Sequence, residues 1–190
     1  MKIHYTLENL PHFLNPVVTV GVFDGVHLGH VKVIEQLVDY AKQKEGESIL
    51  LTFDPHPQEV LHPRVDFFLI NTIEERIALL SQTGIDHLIV VPFTFAFSQL
   101  TYEQFIRKIL IGKIKAKAIV MGPNHSFGKN REGHFDNITE LCHKCEVDVV
   151  EIPEFISQDI AVRSSKIRHY ITEGNLQKAE ELLGHPIHNH

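Results

Sequence analysis

Two histidines lie in the short stretch GVFDGVHLGH at residues 21–30, between an apolar run and a helical pattern. If the helix begins near Leu28, its first backbone N–H groups have no partners and its dipole end is positive, so this turn favours an anion. His27 and His30 can point the same way and donate ring N–H groups to phosphate oxygens. Either histidine alone is also compatible with a helix cap or a packed side chain. The pair after a strand favours a phosphate site.

Three glycines, Gly21, Gly25 and Gly29, surround these histidines and would let a ligand approach the backbone closely. Their spacing is neither the dinucleotide-binding G-x-G-x-x-G nor the P-loop G-x-x-x-x-G-K-[ST]. The stretch therefore predicts a phosphate site outside these two motif classes.

A second helix start with polar residues is RSSKIR at residues 163–168. Ser164 and Ser165 can offer hydroxyl and backbone N–H groups to phosphate oxygens, and Arg168 lies one turn later as a fixed positive charge. Taken alone, the same residues describe a serine N-cap with a basic outer face. With the histidine pair in the same chain, we favour phosphate binding.

Three further loops contain chemically useful residues. TFDPHPQEVLHP at 52–63 has X-Pro steps that stiffen an extended loop, or serve simply as a rigid connector. The segment around Phe93, Phe95 and Phe97 is typical of core residues when it is taken alone. GPNHSFGKNREG at 122–133 is a binding loop or merely a mobile one.

These loops follow apolar runs that predict buried strands. The runs are VVTVGVF at 17–23, SILLTF at 48–53, HLIVVPF at 87–93, AKAIVMG at 116–122 and VDVVEI at 147–152. Amphipathic helical patterns lie between them, and this alternation predicts a Rossmann-like α/β fold, a doubly wound parallel sheet with helices on both faces. In such sheets ligands bind beyond the carboxyl ends of the strands, where the loops converge.

Local signals place several helix ends. Thr72 with Glu75, and Thr101 with Gln104, fit capping boxes. The segment 164–184 predicts two short C-terminal helices separated at Gly174. The chain is therefore expected to end in helices and not in a strand.

Composition limits the class of protein. With 190 residues, 43% of them hydrophobic and 22% charged, we expect one domain over residues 1–190. No stretch approaches a membrane span or a signal peptide, which predicts a cytoplasmic protein. The net charge of −6 argues against nucleic-acid partners. Cys142 and Cys145 are expected to be ordinary thiols on a helix, because a second pair for a zinc site is missing.

Taken together, the motifs resemble a known family. GVFDGVHLGH resembles the H-x-G-H signature of nucleotidyltransferases, in its flavin-specific form. TFDPHP, GPNHSFGKNREG, RSSKIR and GNLQKAEELLGHP are similar, in the same order, to the blocks of the FAD synthetase module in bacterial bifunctional riboflavin kinase/FAD synthetases. The resemblance implies an FMN adenylyltransferase, which with Mg²⁺ converts ATP and FMN into FAD and pyrophosphate.

The resemblance also implies roles for individual residues. The catalytic group would be His27, His30 and Arg168. The residues expected to bind ATP and its phosphates are Gly21, Phe23, Asp24, Gly25, Gly29, Asn124, Lys129, Arg131, Ser164 and Ser165. The residues expected to bind the flavin are Phe53, Pro55, His56, Pro57, Phe93, Phe95 and Phe97. No residue is assigned as a metal ligand.

The chain departs from the family pattern at Asn124, His125 and Ser126, where aspartate, phenylalanine and arginine are common. Lys129 and Arg131 could supply replacement charge. Two other functions stay open: transfer to another phosphorylated acceptor, and binding of flavin or nucleotide with little catalysis. Only six residues follow Gly184, so a riboflavin kinase barrel is expected to be absent from this chain.

Overall fold

A parallel sheet forms the centre of the computed structural model, which describes residues 1–63, 67–122, 125–157 and 160–187. Its strands are β1 (Lys2–His4), β2 (Val17–Val20), β3 (Ser48–Asp54), β4 (His87–Pro92), β5 (Ala118–Met121) and β6 (Asp148–Glu151). They lie in the order β1-β4-β3-β2-β5-β6, and each pair is parallel. The predicted α/β doubly wound sheet is confirmed.

Helices connect the strands. They are α1 (Leu28–Gln43), α2 (Pro57–Leu61), α3 (Ile73–Ser81), α4 (Phe95–Ser98), α5 (Tyr102–Gln104), α6 (Phe135–His143), α7 (Ser164–Thr172) and α8 (Leu176–Leu183). A π-helical turn at Phe105–Ile111 continues α5, and a 3₁₀ turn covers Lys129–Arg131. The capping boxes predicted at Thr72 and Thr101 are confirmed.

The core lies on both faces of the sheet because successive strand residues point to opposite sides. Ile49 and Leu51 of β3 pack on one face with the π-helical turn and α6, whereas Leu50 packs on the other face with α1. These side chains are fully buried. The near-continuous apolar runs of the sequence therefore reflect strands that are covered on both sides.

The chain ends, as predicted, in two short helices separated at Gly174. They form a third apolar cluster, in which Ile167 of α7 and Leu183 of α8 pack against Ile70, a residue just before α3. The C-terminal helices are thereby attached at the edge of the site that the strand-following loops form.

Some elements were not predicted. The edge strand β1 is short and largely exposed, and it therefore lacks the apolar pattern of a buried strand. A two-stranded antiparallel ribbon, β7 (Ile156–Ser157) with β8 (Ile160–Ala161), precedes α7. Cys142 lies on α6 as expected, but Cys145 lies beyond its end, and both thiols are free. None of the described helices is long and apolar enough to cross a membrane.

Candidate active site

The site lies where the strand order reverses. From β2 the chain passes to β3 and β4 on one side, and it then returns to β5 on the other side of β2. The carboxyl ends of β2 and β5 therefore border a crevice of the kind in which α/β sheets bind ligands. The loop at 21–27 opens into it from β2, and α1 begins immediately afterwards.

His27 is the N-cap of α1. Its Nδ1 accepts the backbone N–H of His30 at 3.2 Å. A ring nitrogen that accepts carries no proton, so the proton of the neutral ring lies on Nε2. Burial lowers the pKa of His27 to about 4. At neutral pH this side chain is therefore an uncharged donor with a fixed tautomer.

His30 stacks on His27 with ring centroids 3.5 Å apart and an interplanar angle of 14°. The ring of Phe23 lies 4.9 Å from that of His30 on a tilted plane. Burial lowers the pKa of His30 well below its usual value, and its Nδ1 is buried without a partner among the described residues. The two histidines therefore form one uncharged pair at the start of α1.

Asp24 connects this loop to the C-terminal helices and is only 2% exposed. Its carboxylate accepts the backbone N–H groups of Ile70 at 3.1 Å and Asn71 at 3.2 Å, and it forms an ion pair with Arg168. Its backbone carbonyl accepts the hydroxyl of Ser164 at 2.9 Å. Asp24 would thus act on a ligand through Arg168, because its own oxygens are occupied.

Neighbouring side chains pack closely against the glycines of this region and leave little room for a Cβ atom. A Cβ on Gly25, whose φ is +87°, would lie 3.1 Å from both Ile70 and Leu183. A Cβ on Gly29 would lie 3.2 Å from the His27 ring, and one on Gly21 would lie 2.9 Å from the Phe23 ring. Close approach of a ligand to these glycines stays a prediction.

His56 repeats the arrangement of His27 in the loop after β3. Its Nδ1 accepts the backbone N–H of Gln58 at 3.0 Å, and its own backbone N–H donates to Glu59 at 2.9 Å, which completes a capping box at α2. Burial lowers the pKa of His56 to about 4, and the charge of Arg168 contributes. Pro57 is the first residue of α2, and Pro55 is exposed.

The predicted flavin-binding phenylalanines divide into two groups. Phe53, Phe93 and Phe97 form one cluster, with ring centroids 5.4 to 5.8 Å apart, which continues into the core through Phe105. Phe95 lies on the surface at 65% exposure. The first group packs against the core, and its flavin-binding role stays a prediction.

Phe67 lies between His56, in the loop after β3, and Arg168 on α7. The sequence did not predict a role for it. Its ring centroid lies 4.5 Å from that of His56 and 4.5 Å from the guanidinium carbon of Arg168. Arg168 also donates to the backbone carbonyl of Phe68 at 2.9 Å. Phe67 and the adjacent Phe68 lie in an irregular loop without a periodic pattern, so the sequence gave no signal for this contact.

The loop after β5 is described only in part, because Asn124 lies outside the described residues. Arg131 donates from Nε to the hydroxyl of Ser126 at 2.8 Å, which brings a guanidinium to the position where the family pattern has an arginine. Lys129 is exposed. The proposed replacement of charge by Arg131 is compatible with this contact.

His125 was not assigned a role from the sequence. Its Nδ1 accepts the backbone N–H of Gly122 at 3.1 Å, and burial lowers its pKa to about 4. It also lies close enough to His30 to influence the pKa of that side chain. His27, His56 and His125 thus share one arrangement: Nδ1 accepts a backbone N–H, and an uncharged ring donates from Nε2.

The remaining members of the predicted set are placed around the same crevice. Arg168 and Ser164 lie on α7 beside the histidine loop, while Ser165 on the same turn is exposed.

Another missed residue is Arg76 of α3, which is completely buried behind the loops after β2 and β3. An arginine in an amphipathic pattern is normally assigned to the exposed face, which explains the omission.

Comparison with known proteins adds to this geometry. Residues 11–166 match the family described as FAD synthetase. A bifunctional riboflavin kinase/FMN adenylyltransferase of Listeria monocytogenes is 37% identical over 175 residues, which cover 91% of this chain and 55% of that protein. A protein named FAD synthetase from the same organism is 32% identical over 193 residues, 96% of this chain and 74% of that protein. The chain spans 55 to 61% of the first bifunctional relatives.

Solved structures agree on the fold. A crystal structure of a Streptococcus pneumoniae protein named as a macrolide-efflux protein has a TM-score of 0.84 and 26% identity, and it covers 97% of this chain and 60% of that one. A pantothenate synthetase from Thermus thermophilus has a TM-score of 0.56 at 16% identity, over 96% of this chain and 82% of that one. The second likeness concerns the fold alone.

Proposed function

Because this chain belongs to the FAD synthetase family, we propose that it transfers the AMP group of ATP to the phosphate of FMN, with FAD and pyrophosphate as products. One observation carries the proposal. The uncharged pair His27 and His30 and the ion-paired Arg168 converge at the start of α1, where the strand order reverses. This is a position at which a sheet of this type binds phosphates.

The reaction needs no nucleophile from the protein. An oxygen of the FMN phosphate attacks the α-phosphorus of ATP, the bond from that phosphorus to the bridging oxygen of the β-phosphate breaks, and pyrophosphate leaves with the electron pair. Negative charge builds up on the departing oxygens. The chain therefore has to bring two anions together and stabilise that charge, which hydrogen-bond donors and fixed cations do well.

The histidines suit this task as donors. A ring whose pKa is about 4 stays uncharged at neutral pH, so His27 can donate from Nε2 to a phosphate oxygen without exchanging a proton. Arg168 supplies the positive charge, and its position is fixed by Asp24 and by the carbonyl of Phe68. Fixed donors need little rearrangement as the transition state forms.

The acceptor side would be the aromatic cluster of Phe53, Phe93 and Phe97. A flat isoalloxazine ring can stack on aromatic side chains of this kind. Phe67 places His56 beside Arg168, and this contact would hold the FMN phosphate near the reacting phosphates of ATP.

Magnesium is proposed as part of the ATP substrate. Within the described ranges no group of three or more His, Cys, Asp or Glu side chains could hold a metal ion, and the carboxylate of Asp24 is already occupied. We therefore assign no described residue as a ligand of Mg²⁺. A Mg²⁺ ion that enters with ATP can retain phosphate oxygens and water as ligands.

The direct test incubates the purified chain with ATP, MgCl₂ and FMN, and measures FAD by chromatography and pyrophosphate by a coupled assay. We expect both products in equal amounts. A variant with His27→Ala and His30→Ala is the matched control for contaminating activity. Tight binding of ATP and FMN without pyrophosphate release would contradict the proposal and favour a binding protein.

Two further arms define the substrate. A panel of other phosphorylated acceptors, with products identified by mass spectrometry, tests whether FMN is the acceptor. Riboflavin in place of FMN is expected to give no product, since we propose that this chain uses FMN as its substrate and does not phosphorylate riboflavin. The cytoplasmic location and the lack of nucleic-acid partners stay predictions from the sequence.

A further inference from the structure

Arg76 is a charged side chain without any exposed surface, on the first turns of α3. Its Nη1 donates to two backbone carbonyls, that of Val22 at 3.1 Å and that of Phe53 at 3.1 Å. The hydroxyl of Thr52 lies 3.5 Å from the same nitrogen and itself donates to the carbonyl of Val22 at 2.8 Å. One guanidinium nitrogen thus joins the two central strands.

The acceptors lie where these strands give way to the loops of the site. Val22 follows the end of β2 by two residues and precedes the histidine loop, and Phe53 is the penultimate residue of β3, before the loop with His56. In the proposed reaction the distance between those loops would decide how closely the ATP phosphates and the FMN phosphate can approach. Arg76 contacts the backbone close to the start of both loops.

Stability alone does not account for Arg76. Burial lowers the pKa of its guanidinium, and only the charges of Asp24, Asp54 and Glu59 act in the opposite direction. Its Nε and Nη2 are buried without a partner among the described residues. Buried donors without partners are costly, and an apolar side chain of similar volume is often as stable or more stable in such a place.

We propose that Arg76 is a positioning residue for the adenylyl transfer, which holds the loops after β2 and β3 at the separation that the reaction requires. This inference rests on the proposed function. A displacement of about 1 Å between reacting groups can lower a rate about 100-fold. Loss of the two carbonyl contacts of Arg76 is therefore expected to lower the rate of adenylyl transfer. Arg76 has no exposed atom and would act through His30 and His56, not by touching a substrate.

The same side chain has an electrostatic effect on both loops. Burial lowers the pKa of His30 and of His56, and the positive charge of Arg76 lowers it further in each case. Arg76 thereby supports the uncharged, donating form of both rings. Geometry and charge can be separated experimentally because lysine keeps the charge but lacks the planar fork of donors.

The experiment compares Arg76→Met, Arg76→Lys and, as a matched control on the same helix, Leu80→Ala, which removes buried packing but keeps both carbonyl contacts of Arg76. We expect kcat to fall about 100-fold in Arg76→Met and about tenfold in Arg76→Lys, with less change in the KM for ATP. Leu80→Ala is expected to keep its kcat within about twofold at temperatures well below its own unfolding midpoint.

Histidine titrations by NMR give a readout that a purely structural role would not change. In Arg76→Met the pKa of His56 is expected to rise slightly from about 4, because burial is the main cause of the shift and Arg76 a smaller one, whereas Arg76→Lys and Leu80→Ala should leave it unchanged. Equal kcat losses in Leu80→Ala and Arg76→Lys, or a folded Arg76→Met with normal kcat, would overturn the proposal. If Arg76→Met does not fold, the kcat of Arg76→Lys relative to that of Leu80→Ala tests the proposal.

This test also separates the inference from the proposed function. If the unmodified chain forms no FAD, the proposed function fails. Binding of FMN to the chain saturated with ATP, followed by flavin fluorescence, then measures the positioning role, because the separation of the two loops matters when both ligands are bound. Weakening of about tenfold or more in Arg76→Lys, absent from Leu80→Ala, would support it, and unchanged binding would refute it.

Discussion

Helices α1 and α7 begin at the edge of the same crevice, but their first turns are built differently. At α1 a side chain closes the turn, because His27 accepts the backbone N–H of His30. At α7 no side chain of the described residues caps the turn, and Ser164 instead donates its hydroxyl to the carbonyl of Asp24. Both starts were predicted as phosphate sites from the sequence, that of α7 only in combination with the histidine pair.

Because their first turns differ, the N-termini of α1 and α7 are expected to have different roles in the site. The cap at α1 uses the Nδ1 of His27 and leaves Nε2–H as a donor in a fixed direction. The contacts at α7 bring Arg168 to Asp24, so that a positive charge is held beside the histidines. The histidine helix therefore contributes directed donors, and the C-terminal helix contributes charge. Substitutions at the two starts should have different signatures.

The largest effect is expected at α1. His27→Ala and His30→Ala should each lower adenylyl transfer strongly, because a lost donor to a developing phosphate charge costs about 2 to 4 kcal/mol of transition-state stabilisation. Steady-state kinetics with FMN and ATP measures the loss. His27→Ala should also lower the free energy of unfolding by about 1 kcal/mol, since it removes a helix cap.

His27→Asn is the control that separates these two effects. Asparagine is a good N-cap but lacks the ring donor in this position, so stability should return while activity stays low. If His27→Asn restores activity together with stability, the histidine acts only as a cap. Normal turnover in a folded double alanine variant would remove the histidines from the reaction altogether.

A smaller effect is expected at α7. Arg168→Lys keeps the charge but cannot reproduce the fork that contacts both Asp24 and the carbonyl of Phe68, so we expect a loss in kcat of about ten- to 100-fold. The chain should remain folded, because the buried carboxylate still has a cation beside it. Arg168→Met is expected to be less stable, since it leaves Asp24 buried and unpaired. Equal activities for Arg168→Lys and the unmodified chain would show that charge alone suffices.

Acid should destabilise the chain through the capped histidines. The pKa of His27, His56 and His125 is about 4 in the folded chain, against 6.5 for a free side chain. The unfolded chain takes up protons first, so stability is fully present above pH 6.5 and is lost between pH 6.5 and 4. Each histidine contributes at most about 1.4 kcal/mol per pH unit.

Urea unfolding at pH 7.5 and at pH 5.5 measures this dependence. His125→Phe serves as the control, because it keeps a ring but removes one titrating group, and its loss of stability between these two pH values should be smaller. Equal stability at the two pH values would contradict the assignment of buried neutral histidines.

The sequence predicted the sheet well because its strands are buried on both faces and therefore read as apolar runs. It also predicted the start of α1 at Leu28 and the separation of α7 from α8 at Gly174, since glycines and caps are local signals. The ligand-binding roles of the site residues remain predictions. What the structure adds is how those side chains are held.

The missed features depend on contacts between distant segments. Arg76 fits the helical pattern of α3, and only the packing of β2 against β3 places its guanidinium on two carbonyls. The ion pair between Asp24 and Arg168 joins residues that are 144 positions apart in the sequence. No local pattern in a single sequence reports such pairings.

The smallest effect should distinguish the two serines at the start of α7. Ser164 uses its hydroxyl on the carbonyl of Asp24, whereas Ser165 is exposed and its hydroxyl is available to a phosphate oxygen. Ser165→Ala should therefore raise the KM for ATP about threefold to tenfold, the value of one net hydrogen bond, without a change in stability. Ser164→Ala should lower the free energy of unfolding by about 1 kcal/mol. Kinetics and urea unfolding of both variants test this, and the opposite assignment of the two effects would show that Ser164 contacts the nucleotide.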